Sequence, residues 1–424
     1  MRDGDNTPTG SVYNRRTFLN RAAIAAAATT GVALSGCLGG DGSGIGDPDG
    51  VPVPGIYDLS GATADVGRPT GVGSQDAIAW YHENDELESG IYHEYQDYAY
   101  EVSEAQRLYD DHVGSESPPA IIGWGTADTE ALAGDAHEDE VIYVSASYSD
   151  ELMAEETGYN FYTSLDYTSQ ARIHLEWIAE NDPDATVAFI HNTAPFGESP
   201  VEGGEEYAEE LGLDLEDNIV LEPDEGDADG QVQQAEGNDV DYLIHQNTAD
   251  PMVALLQAID SRDADITVMG LTWTADELRA DDNPDLYEGV RYVNSNLTFE
   301  EALDSGGRGA EIIEDSFERE DRDMDDLEDA NLNYVRGIAH ASLVIEGLKH
   351  VEETGGDPHS GADLREAFFE LEGFDAEGLV PAGLSYEDGD RRATMAGRMY
   401  EVQDGELVYE DTIELEDPDG DWLP

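Results

Sequence analysis

Two stretches place hydrogen-bond donors where an apolar run gives way to a helical pattern. Ile122-Gly123-Trp124-Gly125-Thr126 closes the run Ala120–Trp124, and Ser145-Ala146-Ser147-Tyr148-Ser149 ends a run that starts at Val141. Gly123, Gly125 and Thr126 would present backbone N–H groups and a hydroxyl at a helix start; Ser145, Ser147 and Ser149 would do the same one strand later. Such donors suit a carboxylate or another anion. The chemistry they imply is recognition rather than bond making. No Gly-x-Ser-x-Gly elbow, P-loop, His-Glu-x-x-His or His-x-His spacing occurs in the chain. Paired carboxylates carry no information among 98 Asp and Glu residues. Glu225–Gly230 with Glu236 loosely fits a calcium loop, but its first position is Glu rather than Asp. Such matches arise by chance among so many acids, and Asp321–Asp329 is expected to be a solvated face. No cofactor and no metal are expected. The single cysteine, Cys37, excludes a disulfide within the chain and a zinc site built from several cysteines.

The elements that would position these donors are short buried strands alternating with helices. Ala120–Trp124, Val141–Ser147, Ala185–His191, Val240–Gln246, Ile266–Thr272 and Gly289–Val293 are continuous apolar runs of strand length. Between them, Gln170–Glu180 puts Ala171, His174, Trp177 and Ile178 on one helical face. Asp250-Pro251 reads as an N-cap and first-turn pair ahead of the apolar Met252–Ile259. Asn331–His350 repeats apolar residues at helical spacing from Leu332 to Leu348. This alternation predicts an α/β fold with parallel sheets, in which ligands sit beyond the C-terminal strand ends. Ser305-Gly306-Gly307 and Thr354-Gly355-Gly356 are predicted surface loops.

The charge bounds the partners. The chain has 424 residues, 98 Asp and Glu against 19 Lys and Arg, and a formal net charge of −79. A phosphate backbone would repel it, so nucleic acid is excluded, and so is an anionic membrane surface. The acids run throughout, as in Glu83–Glu88 and Glu202–Glu210, among 21 Tyr, 9 Phe and 5 Trp. A disordered acidic chain would lack those rings. The expectation is a folded protein with an acidic shell, made for molar salt. Lys349 is its only lysine; in this it resembles proteins of salt-loving archaea.

The first residues read as an address. Arg15-Arg16 precedes Phe18-Leu19, then the alanine-rich run Ala22–Leu34, too short to span a bilayer but suited to a signal peptide. Leu34-Ser35-Gly36-Cys37 resembles a lipobox. Residues 1–36 are therefore expected to be a twin-arginine lipoprotein signal peptide, with Cys37 the lipidation site and residues 37–50 a flexible tether. Its removal takes four Arg and two Asp and leaves a net charge of −81.

An ordered series completes the pattern. Tyr57-Asp58-Leu59-Ser60-Gly61 comes first, followed by the two stretches above. Then come Phe189-Ile190-His191-Asn192, Phe196-Gly197-Glu198-Ser199, Asp241–Asn247, Val268–Trp273 and Leu384–Asp390. In order and spacing the chain resembles, over residues 51–424, the extracellular solute receptors of branched-chain amino-acid ABC importers. The resemblance implies a type 1 periplasmic binding fold of two Rossmann-like three-layer lobes joined by three crossings, near Tyr162–Ser164, Tyr292–Asn294 and Leu384–Asp388. Lobe 1 would comprise 51–162 plus 294–385, and lobe 2 163–293 plus 386–424. The implied protein is no enzyme: it closes on a solute and delivers it to a permease, as a monomer held at the outer face of the cytoplasmic membrane by lipid on Cys37. Rival expectations are a sensory module for a membrane signalling protein and a secreted hydrolase.

Matched to that family, Ala127, Ser147 and Tyr148 fall at or beside positions that hold a ligand's α-carboxylate and amine. Phe196 falls where an aromatic covers the ligand, and Asn247 and Thr248 on the loop of another contact. Thr272 falls where leucine-type receptors carry an acid for the ammonium. Without that acid, Asp58 would substitute from the other lobe, or the ligand would be an organic acid or amide instead of an amino acid. Trp124, Thr126, Ser145 and Trp273 complete the expected set, giving a pocket richer in rings than a valine-sized ligand needs.

Overall fold

The computed structural model describes residues 44–417 except Asp224, together with Trp422. The signal peptide, Cys37 and residues 37–43 of the expected tether lie outside the described residues. The rest of that tether is not free chain. Ile45–Gly46 pairs antiparallel with Ile91–His93, and the Asp47 N–H donates to the Ile91 carbonyl at 2.8 Å. Backbone pairing outweighs the local glycine and aspartate content there.

Residues 55–161 build a five-stranded parallel sheet in the order Tyr95–Asp97, Gly55–Tyr57, Ala120–Ile122, Ile142–Val144, Asn160–Phe161. These strands are only two or three residues long. The three central ones, Gly55–Tyr57, Ala120–Ile122 and Ile142–Val144, are buried throughout, which is why they read as unbroken apolar runs rather than alternating ones. A second sheet runs Asp214–Leu215, Thr186–His191, Tyr242–Gln246, Thr267–Gly270, Arg291–Asn294, Ala396–Gln403, Glu406–Glu414, with Ile219–Val220 also on Thr186–His191. It is parallel up to Arg291–Asn294, and its last two strands are antiparallel.

Helices cover the sheets. Ala64–Glu83 packs along Leu332–Thr354, the longest helix described, whose apolar repeat from Leu332 to Leu348 is buried as its spacing predicts. Two glycines allow the close approach: a Cβ on Gly73 would strike the Tyr334 backbone, and one on Gly337 the Thr70 backbone. Asn331 caps the long helix by accepting from the Asn333 and Tyr334 N–H groups. The expected Asp250 cap is displaced. The helix is Ala249–Arg262 with Thr248 at its N-cap, so Asp250 sits inside the first turn, where a carboxylate still favours the helix dipole. Among the described residues no group of His, Cys, Asp and Glu could hold a metal ion, and Glu236 pairs with Arg262 at 2.6 Å.

The α/β architecture is the type 1 periplasmic binding protein fold. Where the chain passes between its sheets, neighbouring segments are tied together. The Ser164 and Ser295 hydroxyls lie 2.8 Å apart, and the Tyr386 hydroxyl donates to the Tyr162 carbonyl.

Candidate functional site

A small cavity lies where the C-terminal strand ends of the two sheets meet. Trp124 and Thr126 reach it from the end of Ala120–Ile122, and Ala146 from the end of Ile142–Val144. Phe196, Thr248 and Trp273 follow three strands of the second sheet. Its volume is about 20 Å³, well below what a ligand pocket usually occupies.

The turn carrying Trp124 is fixed by its flanks. A Cβ on Gly123 would fall within the Tyr143 ring, and one on Gly125 would lie 2.5 Å from Asp128 Oδ1. Trp124 Nε1 donates to Thr63 Oγ1 at 2.8 Å. That hydroxyl in turn donates to Asp58 at 2.8 Å. Asp58 also accepts from the Gly61 N–H at 2.6 Å and the Thr63 N–H at 2.8 Å. Its two oxygens thus serve the turn that leads into Ala64–Glu83. This corrects the expectation that Asp58 would stand in for the missing ammonium partner: a fully buried carboxylate with three protein donors has little left for a ligand.

On the other wall, Trp273 makes an edge contact with Trp124, centroids 5.3 Å apart at 62°. Its Nε1 donates to the Tyr167 hydroxyl at 3.0 Å, and that hydroxyl donates to the Ala146 carbonyl at 3.2 Å. Phe196 packs edge-on against Tyr167 at 5.5 Å. Polar atoms of the indoles and of Tyr167 are therefore spent inside the protein, and carbon faces remain for the cavity.

Of the expected residues, Trp124, Thr126, Phe196, Thr248 and Trp273 line the cavity. Asp58, Ser147 and Tyr148 stand one contact behind. Ser147 Oγ donates to Thr126 Oγ1 at 3.0 Å, and Tyr148 stacks on Trp273 at 6.0 Å and 8°. The other four are not in the lining. Ala127 lies in Thr126–Glu138 without lining the cavity, and Ser145 Oγ turns back onto the Ser147 backbone. Asn247 is occupied by the Asn192 side chain and the Leu221 carbonyl. Thr272 is held by the Asn294 side chain and Arg336.

Sequence reasoning missed Tyr100, Tyr167, Thr63 and Val66 in the lining, and Arg336 behind it. Tyr167 carried a signal, because it follows Asp166, whose side chain caps the helix Tyr167–Asn181. Arg336 carried none. It sits in the second turn of Leu332–Thr354, 1% exposed, with its guanidinium 4.5 Å from the Trp273 ring and bonded to the Thr272 carbonyl and Asn333 at 2.5 Å each.

Asp128 is buried in the first turn of Thr126–Glu138 and accepts from the Tyr98 hydroxyl at 2.7 Å. Burial, against that hydrogen bond, pushes its carboxyl up to about 7. An acid with a raised value holds its proton more tightly folded than unfolded. Its contribution to stability is complete below the ordinary value of 3.8 and is lost as pH climbs to about 7. Asp128→Asn should flatten the fall in Tm across that window, and a melting profile parallel to wild type would contradict the assignment.

A family model for the periplasmic binding protein matches residues 50–406, and the chain belongs to that family. No curated protein matches it. Its fold is similar to that of a branched-chain amino-acid ABC transporter protein from Thermus thermophilus with bound valine: 21% identity, TM-score 0.79, 86% of this chain and 96% of that one. An ABC transporter substrate-binding protein from Aeropyrum pernix has 26% identity and TM-score 0.79 over 87% and 96%. A solute-binding protein from R. palustris in complex with benzoate has 14% identity and TM-score 0.73 over 87% and 98%. Among the described residues no helix is long and apolar enough to cross a membrane.

Proposed function

We propose that the chain is the extracytoplasmic, lipid-anchored solute receptor of an ABC importer. It captures a small amino-acid, organic-acid or amide solute between two lobes, 51–162 plus 294–385 and 163–293 plus 386–424, and delivers it as a monomer to a permease. The observation that carries the reading is the cavity itself, walled from the C-terminal strand ends of both sheets in a chain of this family. Hydrogen bonds between Ser164 and Ser295 and between Tyr386 and Tyr162 support crossings at the proposed places. The ligand can favour the closed form only by binding it more tightly than the open one. The twin arginines, the apolar run and Cys37 support export and anchoring.

A thermal-shift screen in molar salt tests this, with amino acids, betaines, aromatic acids and amides. At least one solute should raise Tm in a saturable way, as mass action requires. Phe196→Ala removes a wall of the cavity and Ser147→Ala removes the hydroxyl that orients Thr126; each should weaken the hit, by about tenfold and about threefold respectively. A hit of undiminished affinity in both variants would move the site elsewhere, and turnover of any solute would argue for an enzyme.

A further inference from the structure

Resting on that reading, we propose that Asp65 is a proton latch on lobe closure: its carboxyl takes up a proton when the lobes shut, so the receptor grips its solute in mildly acidic surroundings and loosens as pH rises.

Two helices start at the cavity from opposite sides. Ala64–Glu83 belongs to the proposed lobe 1 and Ala249–Arg262 to lobe 2, and the two helices touch. Thr63 and Val66 line the cavity from the first, and Thr248 lines it from the second. Neither N-cap side chain caps its helix, and each helix has an aspartate as its second residue, Asp65 and Asp250. The two carboxylates have unequal company. Asp250 is exposed and accepts from Arg279 at 2.6 Å. Both oxygens of Asp65 are closed to solvent, and neither has a hydrogen-bond partner among the described residues.

The groups that face Asp65 come from lobe 2. Asp250 and Asp276 repel its charge, Arg279 attracts it, and the Tyr287 hydroxyl lies within its field. Arg279 is engaged by Asp250. Asp276 caps the helix Glu277–Asp282, accepting from the Arg279 N–H at 2.8 Å and from Asn333 at 3.2 Å. Of the other helices on Ala64–Glu83, Leu332–Thr354 commits Arg336 to Thr272, Asn294 and Asn333, and Arg308–Glu320 commits Arg319 to Asp76.

A helix start ordinarily favours a carboxylate. Here burial, with Asp250 and Asp276 adding to it, pushes the Asp65 carboxyl from its ordinary 3.8 up to about 7. Parting the lobes lets water reach it and returns it toward the ordinary value. The closed form therefore binds a proton that the open form releases. That advantage is complete below 3.8 and is lost as pH climbs through about 7. Above that, closure leaves a buried charge without a partner, which is costly. Asp150 is also raised, by burial and by Asp166, to about 6, but it has a partner from the opposite lobe, the Thr168 hydroxyl at 2.7 Å.

Titration calorimetry of the mature chain in molar KCl with valine and with benzoate, at about pH 5.5 and about pH 8, tests the proposal; neither solute changes charge between them. Whichever solute binds should do so at least about tenfold more tightly at the lower pH. Asp65→Asn, neutral at both, should remove that difference and bind at the higher pH as the wild type does at the lower. Equal wild-type affinities at the two pH values overturn the proposal. So does a pH dependence that survives in Asp65→Asn and vanishes in Asp150→Asn. If neither solute binds, small-angle scattering of the solute-free chain decides. The wild type should be more compact at the lower pH and Asp65→Asn compact at both, and a wild-type radius that does not change overturns the latch. Failure of every solute in the thermal-shift screen would remove the receptor reading, a result independent of the scattering.

Discussion

Dialysed from molar KCl into dilute buffer, the protein should lose its native circular dichroism signal. The formal charge of −79 is spread along the chain, and self-repulsion of that size destabilises a compact state. The screening length is roughly 3 Å at 1 M salt and about 10 Å at 0.1 M, so neighbouring carboxylates feel one another only when salt is removed. The helix Val201–Leu211 makes the point locally. Glu202, Glu206 and Glu210 follow one another at helical spacing and are exposed, and like charges at i,i+4 oppose a helix. Two basic residues are committed to a part-buried network instead: Arg319 and Arg322 both pair with Asp76, which also accepts from the Tyr334 hydroxyl at 2.9 Å. A full native signal in dilute buffer would refute the charge argument. A gain of low-salt stability in Glu206→Lys would locate part of the repulsion on this helix.

The second large effect is expected at Arg336. Truncation to alanine should cost about 3–5 kcal/mol of stability in molar salt, read as a lower denaturation midpoint. The side chain fills space beneath Trp273 and donates to the Thr272 carbonyl, Thr272 Oγ1 and Asn294 Oδ1. Its loss opens a cavity and strands several buried acceptors, each costly without a donor. Burial holds the guanidinium below its ordinary range, but an arginine starts so far above ordinary pH that it keeps its charge. A midpoint within about 1 kcal/mol of wild type would mean that these bonds contribute little.

Arg336 also shows where sequence reading reached its limit. The buried strands announced themselves as continuous apolar runs, and the helix Leu332–Thr354 through its spacing, because both patterns are local consequences of burial. Trp124, Phe196 and Trp273 were legible as residues following such runs in a family-like order. Arg336 could not be found that way, since its partners Asn294 and Thr272 are 42 and 64 residues distant along the chain. Tyr100 was equally hidden, entering the cavity from a left-handed backbone at φ 59°. Thr272 and Asn247 were carried over by position. The structure gives them neighbours that use up their polar atoms. The tether was misjudged between 44 and 50 because strand pairing with Ile91–His93 depends on residues far along the chain.

The glycines beside Trp124 have a consequence for the history of such a protein. Neither can accept even a methyl group without colliding with Tyr143 or with Asp128, so single substitutions at these positions cannot slide the turn to a new place. Drift in solute preference must therefore proceed by exchange of the rings themselves, at fixed stations on a backbone that descendants inherit unchanged.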